Sequence, residues 1–215
     1  MTAEQFNARE QAAGRLTQAM LDYCAAHGGV AAVQEACGVD ADGKAGDDTQ
    51  RALRAVLAGR APIPAHQKGI DLIYGKLPYI EGEGGRIIIT KTWVAKNIVS
   101  VKLHTGKTVR LHRLVATEFA ELFQRACTVS GYTPDSVQTF VPRHTLWNPA
   151  ASVSLHSWGI AIDFSPSENR MGGTDGHGAP SMLRQHQAFV QVFRDAGWRW
   201  GGDWKMKDDM HVQRA

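Results

Sequence analysis

The stretch Ser154-Leu155-His156-Ser157-Trp158-Gly159-Ile160-Ala161-Ile162-Asp163-Phe164 decides how the C-terminal part of this chain folds. From Gly159 onward, small or polar residues alternate with bulky apolar ones, which is the period of a β-strand. On that pattern Gly159, Ala161 and Asp163 share one face, while Ile160, Ile162 and Phe164 bury the other. The small residues leave space beside the Asp163 carboxylate, and His156 precedes the strand on a turn that can fold it back toward Asp163. These two residues alone also suit a buried Asp paired with a core His.

A second segment favours a metal instead. In Lys207-Asp208-Asp209-Met210-His211-Val212-Gln213, the run from Met210 reads as a short strand with His211 facing away from Met210 and Val212. His156, Asp163 and His211 then offer two nitrogens and a carboxylate oxygen. A catalytic Zn²⁺ takes that mix while its fourth position stays open for water. Magnesium or calcium would want mostly oxygen. Asp208 lies just outside the strand, where its carboxylate can serve as a proton acceptor without being a ligand. Asp209 is expected to point away.

The runs Ser154-x-His156-x-x-Gly159-x-Ala161-x-Asp163 and Asp208-x-x-His211 resemble the signature of a family of zinc peptidases. This is the D-alanyl-D-alanine carboxypeptidase and L-alanyl-D-glutamate endopeptidase family, which includes bacterial wall-trimming enzymes and phage endolysins. The resemblance covers roughly Val137 to Gln213. It implies that His156, Asp163 and His211 hold one zinc ion per chain and that Asp208 is the general base. Many members carry Glu at that position, whereas several endolysin-type members carry Asp. The implied activity is therefore cleavage of the L-Ala-D-Glu bond in peptidoglycan stem peptides, leading to wall lysis. The alternatives are a D-Ala-D-Ala carboxypeptidase and a non-catalytic wall-binding protein on the same fold. Members also place a substrate-binding Arg upstream of the first motif, and Arg143 is the best match; a solvated loop Arg beside Pro142 is the other reading. Ser154 either bonds near the metal and substrate or shapes the turn. Trp158 and Trp204 line the cleft or fill the core, with at least one expected in the core.

Composition agrees with such an enzyme. At 43% hydrophobic and 21% charged residues the chain is ordinary globular protein, and 215 residues suffice for a catalytic domain with a small accessory one. A net charge of +3 favours approach to an anionic wall but is no nucleic-acid footprint. Cys24, Cys37 and Cys127 are odd in number and scattered, so they read as buried or free thiols made in a reducing compartment. No run is long and apolar enough to span a membrane, and the start Met1-Thr2-Ala3-Glu4-Gln5-Phe6 has no signal-peptide pattern. The expectation is a monomer made in the cytoplasm that acts on the bacterial wall, phage-encoded or carried on a virion.

The N-terminal part, residues 1–60, reads as a small three-helix domain. Glu4 to Ala26 has helical spacing with Phe6, Leu16, Met20, Leu21 and Tyr23 as core candidates. Val30 to Cys37 follows, and Asp48 to Ala58 is expected to bury Leu53, Val56 and Leu57. Asp40-x-Asp42-Gly43 hints at a calcium loop. An EF-hand would need Gly at Ala45 and Glu at Arg51, so that reading fails. The run from Val33 through Gly38, Asp42-Gly43, Gly46 and Thr49 to Leu53 resembles the three-helix peptidoglycan-binding domain attached to many wall hydrolases. The usual aromatic after the last helix is missing. A helical bundle that only packs on its neighbour is the other reading.

Gly59 to Pro64 reads as a linker, and residues 61–215 as an α+β catalytic domain, a small antiparallel sheet flanked by helices. Strands are expected at Arg86 to Thr90 and at Ile98 to Leu103. The latter pairs with Thr108 to Leu111 across a Gly106 turn, and a further strand lies at Val137 to Val141. Helices are expected from Arg113 to Thr128 and from Ser181 to Ala196, the second burying Leu183, Phe189, Val190 and Phe193. Ser165 to Pro180 reads as a mobile loop at the cleft rim. His104, His112 and His186 read as surface or core residues, whereas His144 and His177 flank the cleft and are candidates for substrate contact.

Overall fold

The computed structural model describes residues 1–58 and 67–214, so the expected linker at Gly59 to Pro64 lies outside the described residues. The chain separates into two compact units, residues 1–76 and 77–214.

The first unit is helical. Helix α1 (Ala3–Ala12) starts at Thr2, whose side chain accepts from the Gln5 amide while Gln5 caps in return. The single helix expected from Glu4 to Ala26 is two. Gly14 takes a left-handed φ of 71°, and Thr17 starts α2 (Gln18–Ala26) by accepting from the Met20 amide. An uninterrupted apolar spacing hid a cap that competes with helix continuation. Helix α3 (Val30–Ala36) and helix α4 (Asp47–Leu57) lie where the sequence places them, and α5 (Gln67–Tyr74) completes the unit.

Leu16, Met20, Cys24, Val33, Cys37, Val39, Ala45, Ala52 and Leu53 form the core, with Leu21, Tyr23 and Val56 packed against it. Leu57 is exposed, contrary to expectation, because it falls off the buried stripe at the helix end. Gly38 and Gly69 touch backbone to backbone, and a β-carbon on either would collide with the other. The loop that imitates a calcium site is organised by a buried side chain. Gln34 Nε2 donates to Asp42 Oδ1, the Lys44 carbonyl and Thr49 Oγ1 at 3.1, 3.0 and 2.9 Å, and its Oε1 accepts from the Gly43 amide at 2.8 Å. The Gln34 amide thus occupies the oxygens that a cation would ligate and also accepts from the Gly43 N–H, which no cation could do.

The second unit is α+β. A hairpin, β1 (Tyr79–Glu81) with β2 (Ile87–Ile89), precedes α6 (Lys91–Asn97). The expected second hairpin follows, β3 (Ile98–Lys102) paired antiparallel with β4 (Thr108–His112). Helix α7 (Ala116–Ser130) buries Phe119, Leu122, Phe123, Ala126 and Cys127 at helical spacing and stops at Gly131 in the left-handed region. The central sheet is antiparallel, in the order β5 (Val137–Gln138), β6 (Ala161–Phe164), β8 (His211–Gln213), β7 (Arg199–Trp200). Helices α8 (Met182–Gln185) and α9 (Gln187–Asp195) replace the one long helix expected from Ser181. His186, at φ −107° and ψ 57°, breaks them and stacks its ring on Tyr132 at 5.0 Å.

Phe164 on β6 meets Phe119 and Phe123 of α7 and Phe189 and Phe193 of α9, with ring centroids 5.0–6.2 Å apart. These rings anchor one face of β6, and the other face carries Asp163. Residues 165–180 contain no regular element, yet their stem is pinned: Asn169 Nδ2 donates to the Phe164 and Ser165 carbonyls, and its Oδ1 accepts from the Leu183 amide. Cys24, Cys37 and Cys127 are buried free thiols. Among the described residues no helix is long and apolar enough to cross a membrane.

Candidate metal centre

Strand register brings the three ligand candidates together. Asp163 on β6 stands directly opposite His211 on β8, so residues 48 apart in sequence become a cross-strand pair. His156 reaches the same place from a 3₁₀ turn, Leu155–Trp158, that ends at Gly159. Gly159 is not part of the strand, as the alternation suggested. Its φ of 69° turns the chain into β6, and a β-carbon there would press on the His112 amide of β4. Its small size therefore serves the turn and the packing of the hairpin, not space beside the carboxylate.

His156 Nε2 lies 3.2 Å from Asp163 Oδ2 and 3.4 Å from His211 Nδ1, and His211 Nδ1 lies 2.9 Å from Asp163 Oδ1. One ligand atom from each residue falls within 4.8 Å of the others, and all three residues are buried. Bonds of about 2.1 Å around a tetrahedral zinc put ligand atoms roughly 3.4 Å apart, close to these separations. The outer nitrogens are also committed. His156 Nδ1–H donates to the Thr139 carbonyl at 2.8 Å, which can only accept, and His211 Nε2–H donates to Gln213 Oε1 at 3.0 Å. The nitrogens facing Asp163 are thus the ones a metal would take in place of the protons they give its carboxylate, the arrangement that second-sphere partners impose on metal-binding histidines.

Burial alone would raise the Asp163 carboxyl, but hydrogen bonds from His156 and His211 overcome it and hold the group well below the usual carboxylate range. For His211, burial opposes charge, and the Asp163 bond with the charges of Asp163 and Asp208 raises its pKa nonetheless. The Asp163 carboxylate is therefore held ionised at the centre of the constellation, paired with imidazole protons whose place a cation would take.

Asp208 precedes β8, with its amide donating to the Gly201 carbonyl and its own carbonyl accepting from the His211 amide, both at 3.1 Å. Burial pushes its carboxyl up, with His211, His156 and Arg143 opposing and Asp163 reinforcing the rise. Oδ1 is buried with no hydrogen-bond partner among the described residues. A carboxylate in that state is a proton acceptor awaiting a partner. Asp209 points away as expected. It is fully buried and ion-paired with Arg184, with Nε–Oδ2 at 2.6 Å, and it also accepts from Ser181 Oγ.

Arg143 comes within 4.0 Å of Asp163 Oδ2 through one guanidinium nitrogen. Ser154 is buried, and its amide donates to the Arg143 carbonyl at 2.9 Å. Ser157, which sequence reasoning passed over, clamps Arg143 at both ends: its Oγ accepts from the Arg143 amide and donates to the Arg143 carbonyl, both at 3.0 Å. Trp158 fills the core at 2% exposure, whereas Trp204 stands beside His211 with ring centroids 5.3 Å apart. His144 is occupied elsewhere, bonding Glu81 at 2.9 Å and the Ala151 carbonyl at 2.8 Å. His177 is exposed in the loop. Thr139 and Gln213 are the other residues missed. Gln213 had a signal, because it shares a strand face with His211; Thr139 acts through its backbone and had none.

Residues 148–214 match the family model described as D-alanyl-D-alanine carboxypeptidase. The match spans under a third of the chain and includes His156, Asp163, Asp208, His211 and Gln213, while Thr139 and Arg143 lie ahead of it. Curated proteins and solved structures gave no match. The matched family supports a peptidase related to peptidoglycan, and the buried His-Asp-His group fits the zinc dependence general in that family.

Proposed function

We propose that this protein is a zinc-dependent peptidoglycan peptidase that cuts a stem-peptide bond, the L-Ala-D-Glu bond in the endolysin manner. The observation that carries the proposal is the convergence of His156 Nε2, Asp163 and His211 Nδ1 beside a buried carboxylate oxygen of Asp208 without a partner among the described residues. A zinc ion held by His156, Asp163 and His211 supplies Lewis acidity that lowers the pKa of a water and polarises the scissile carbonyl.

The protein's own residues do the rest. Asp208 Oδ1 takes the proton of the attacking water and passes it to the departing nitrogen. Burial favours its protonated form, which eases that return step. Arg143 orients the substrate with its planar fork, held in place by Ser157 and the Ser154 amide. Thr139 and Gln213 fix the two rings. A purely structural zinc site would fill its fourth position with a protein ligand and has no use for Asp208, which disfavours a non-catalytic wall-binding role.

The description of the matched family favours a second reading, removal of a terminal D-Ala. The first unit is proposed as the wall anchor of a monomeric, phage-type lysin that acts on the bacterial wall after synthesis in the cytoplasm. The test is digestion of purified peptidoglycan, with fragments read by mass spectrometry. New N-terminal D-Glu supports the endopeptidase, and loss of a terminal D-Ala supports the carboxypeptidase. Asp208→Asn is expected to keep bound zinc while turnover falls roughly 10²–10⁴-fold, the scale of general acid–base catalysis. Full turnover in that variant would remove Asp208 from the mechanism.

A further inference from the structure

The segment Leu146-Trp147 has a geometry that the proposed chemistry does not use. Both residues have left-handed backbones, φ 54° and 58°, although both carry β-carbons, and both are exposed, 65% and 44%. Two successive non-glycine residues in that region persist only where the surroundings impose them, and such outliers cluster at functional sites. Here the surroundings are the turn of the first hairpin. Gly85, at φ 75°, lies so close to the Trp147 carbonyl that a β-carbon would collide with it, and the His144 amide donates to the Gly85 carbonyl at 2.8 Å.

The product of this arrangement is an exposed indole with two guanidinium groups on it. Arg143 and Arg86 face each other across an isolated antiparallel bridge. The Arg86 guanidinium carbon lies 5.5 Å from the Trp147 ring centroid and that of Arg143 lies 5.4 Å from it. Arg143 continues to the metal centre, 4.0 Å from Asp163 Oδ2. Arg86 is exposed and has no acidic partner among the described residues, and Glu81 of the same hairpin is taken by His144. Two like charges on one ring repel each other. Bringing a guanidinium without a carboxylate partner to the lip of a site is useful where an anion is to be bound.

We propose that Arg86, carried beside Arg143 on Trp147, grips a free carboxylate of the peptide substrate next to the bond that is cut. Arg86 is the binding residue and Trp147 a positioning residue that acts through both guanidinium groups. The inference rests on the peptidase reading and deepens it: the substrate class is a peptide with an acidic group flanking the scissile bond, and the amidated form is the poorer substrate.

Hydrolysis of a synthetic stem tetrapeptide with free carboxyls, against the same peptide with those carboxyls amidated, tests it. The wild-type enzyme should prefer the acid. Arg86→Gln should lower kcat/KM on the acid by about tenfold, the scale of one charge-assisted hydrogen bond, chiefly through KM, and leave the amidated peptide unaffected. Trp147→Ala should also lower kcat/KM more on the acid than on the amidated peptide, the smaller loss on the amide coming from Arg143, with Trp147→Phe restoring part of the preference. A loss that is merely structural would fall equally on both peptides. An acid-to-amide ratio in Arg86→Gln equal to that of wild type overturns the proposal. Should the zinc-loaded wild type cleave neither peptide, the peptidase reading fails. Calorimetric binding of the two peptides to wild type and Arg86→Gln then decides the subsite alone, and equal affinity of both proteins for the acid overturns it.

Discussion

Replacing Asp209 by Asn separates a structural carboxylate from a chemical one by a single position. Asp209 is fully buried and holds Arg184 with both oxygens, Oδ2 to Nε at 2.6 Å and Oδ1 to a terminal nitrogen at 2.7 Å. It accepts from Ser181 Oγ as well, and its carbonyl accepts from Trp200 Nε1 at 2.7 Å. Strand periodicity alone, which sends Asp209 away from the site, predicts an almost silent substitution; the ion pair reverses that expectation. Breaking a buried pair costs about 3–5 kcal/mol. The Arg184 side chain keeps 29% of its exposure and can rehydrate, and Asn retains one acceptor, so about 2–3 kcal/mol is expected after that discount. For a unit of this size the melting temperature should fall by roughly 8–12 °C.

All six tryptophans lie in the second unit, so tryptophan fluorescence during heating reports on that unit without interference from the first. Asp208→Asn is the control, with the opposite sign. Burial raises the Asp208 carboxyl above 3.8, so in the metal-free protein ionising it destabilises the fold progressively as pH rises through that range. Its amide should be as stable as wild type or more so at neutral pH. A melting temperature for Asp209→Asn within about 1 °C of wild type, on the same scale, would refute the ion-pair reasoning.

Other outcomes follow from the same geometry. His156→Ala, Asp163→Ala and His211→Ala should each lose zinc and activity while the Phe164 face keeps the unit folded; a zinc content near one per chain in all three would remove the assignment. Gln213→Ala frees the His211 ring and should weaken zinc affinity by roughly 10–100-fold, the usual scale for second-sphere partners, measured by competition with a chelator. In the first unit, hydrogen bonding with Arg15 lowers the Glu10 carboxyl from 4.5 to about 2. Stability from that group is present above 4.5 and is lost as pH falls from there towards 2. The urea midpoint followed by far-ultraviolet circular dichroism should drop over that range in wild type and less steeply in Glu10→Gln. Removing residues 1–76 should reduce pull-down with insoluble walls yet spare cleavage of small soluble stem peptides, because anchoring acts through effective concentration; undiminished pull-down would discard the anchor.

What the sequence determined by itself was local in origin. The alternation around Asp163, the spacing of Asp208 and His211, and the apolar stripe of α7 are patterns of period two or of helical period. Such patterns are readable because neighbouring residues share faces. The α+β class and the candidate ligands followed from them.

Tertiary structure decided what depends on residues far apart in sequence. The break after Gly14 and the break at His186 turn on a competing cap and on a ring stacked against Tyr132, neither visible as a change in apolar spacing. Gly159 looked like a strand residue because its neighbours alternate, and only the approach of the β4 backbone shows why it is glycine. The tautomers of His156 and His211 are set by the Thr139 carbonyl and by Gln213, and a backbone carbonyl leaves no signature in residue types. Arg86 meets Arg143 over Trp147 across 57 positions, because a hairpin turn folds against a left-handed segment that no periodicity encodes. Periodicity assigns a side chain to a face, and packing between distant segments decides what that face meets.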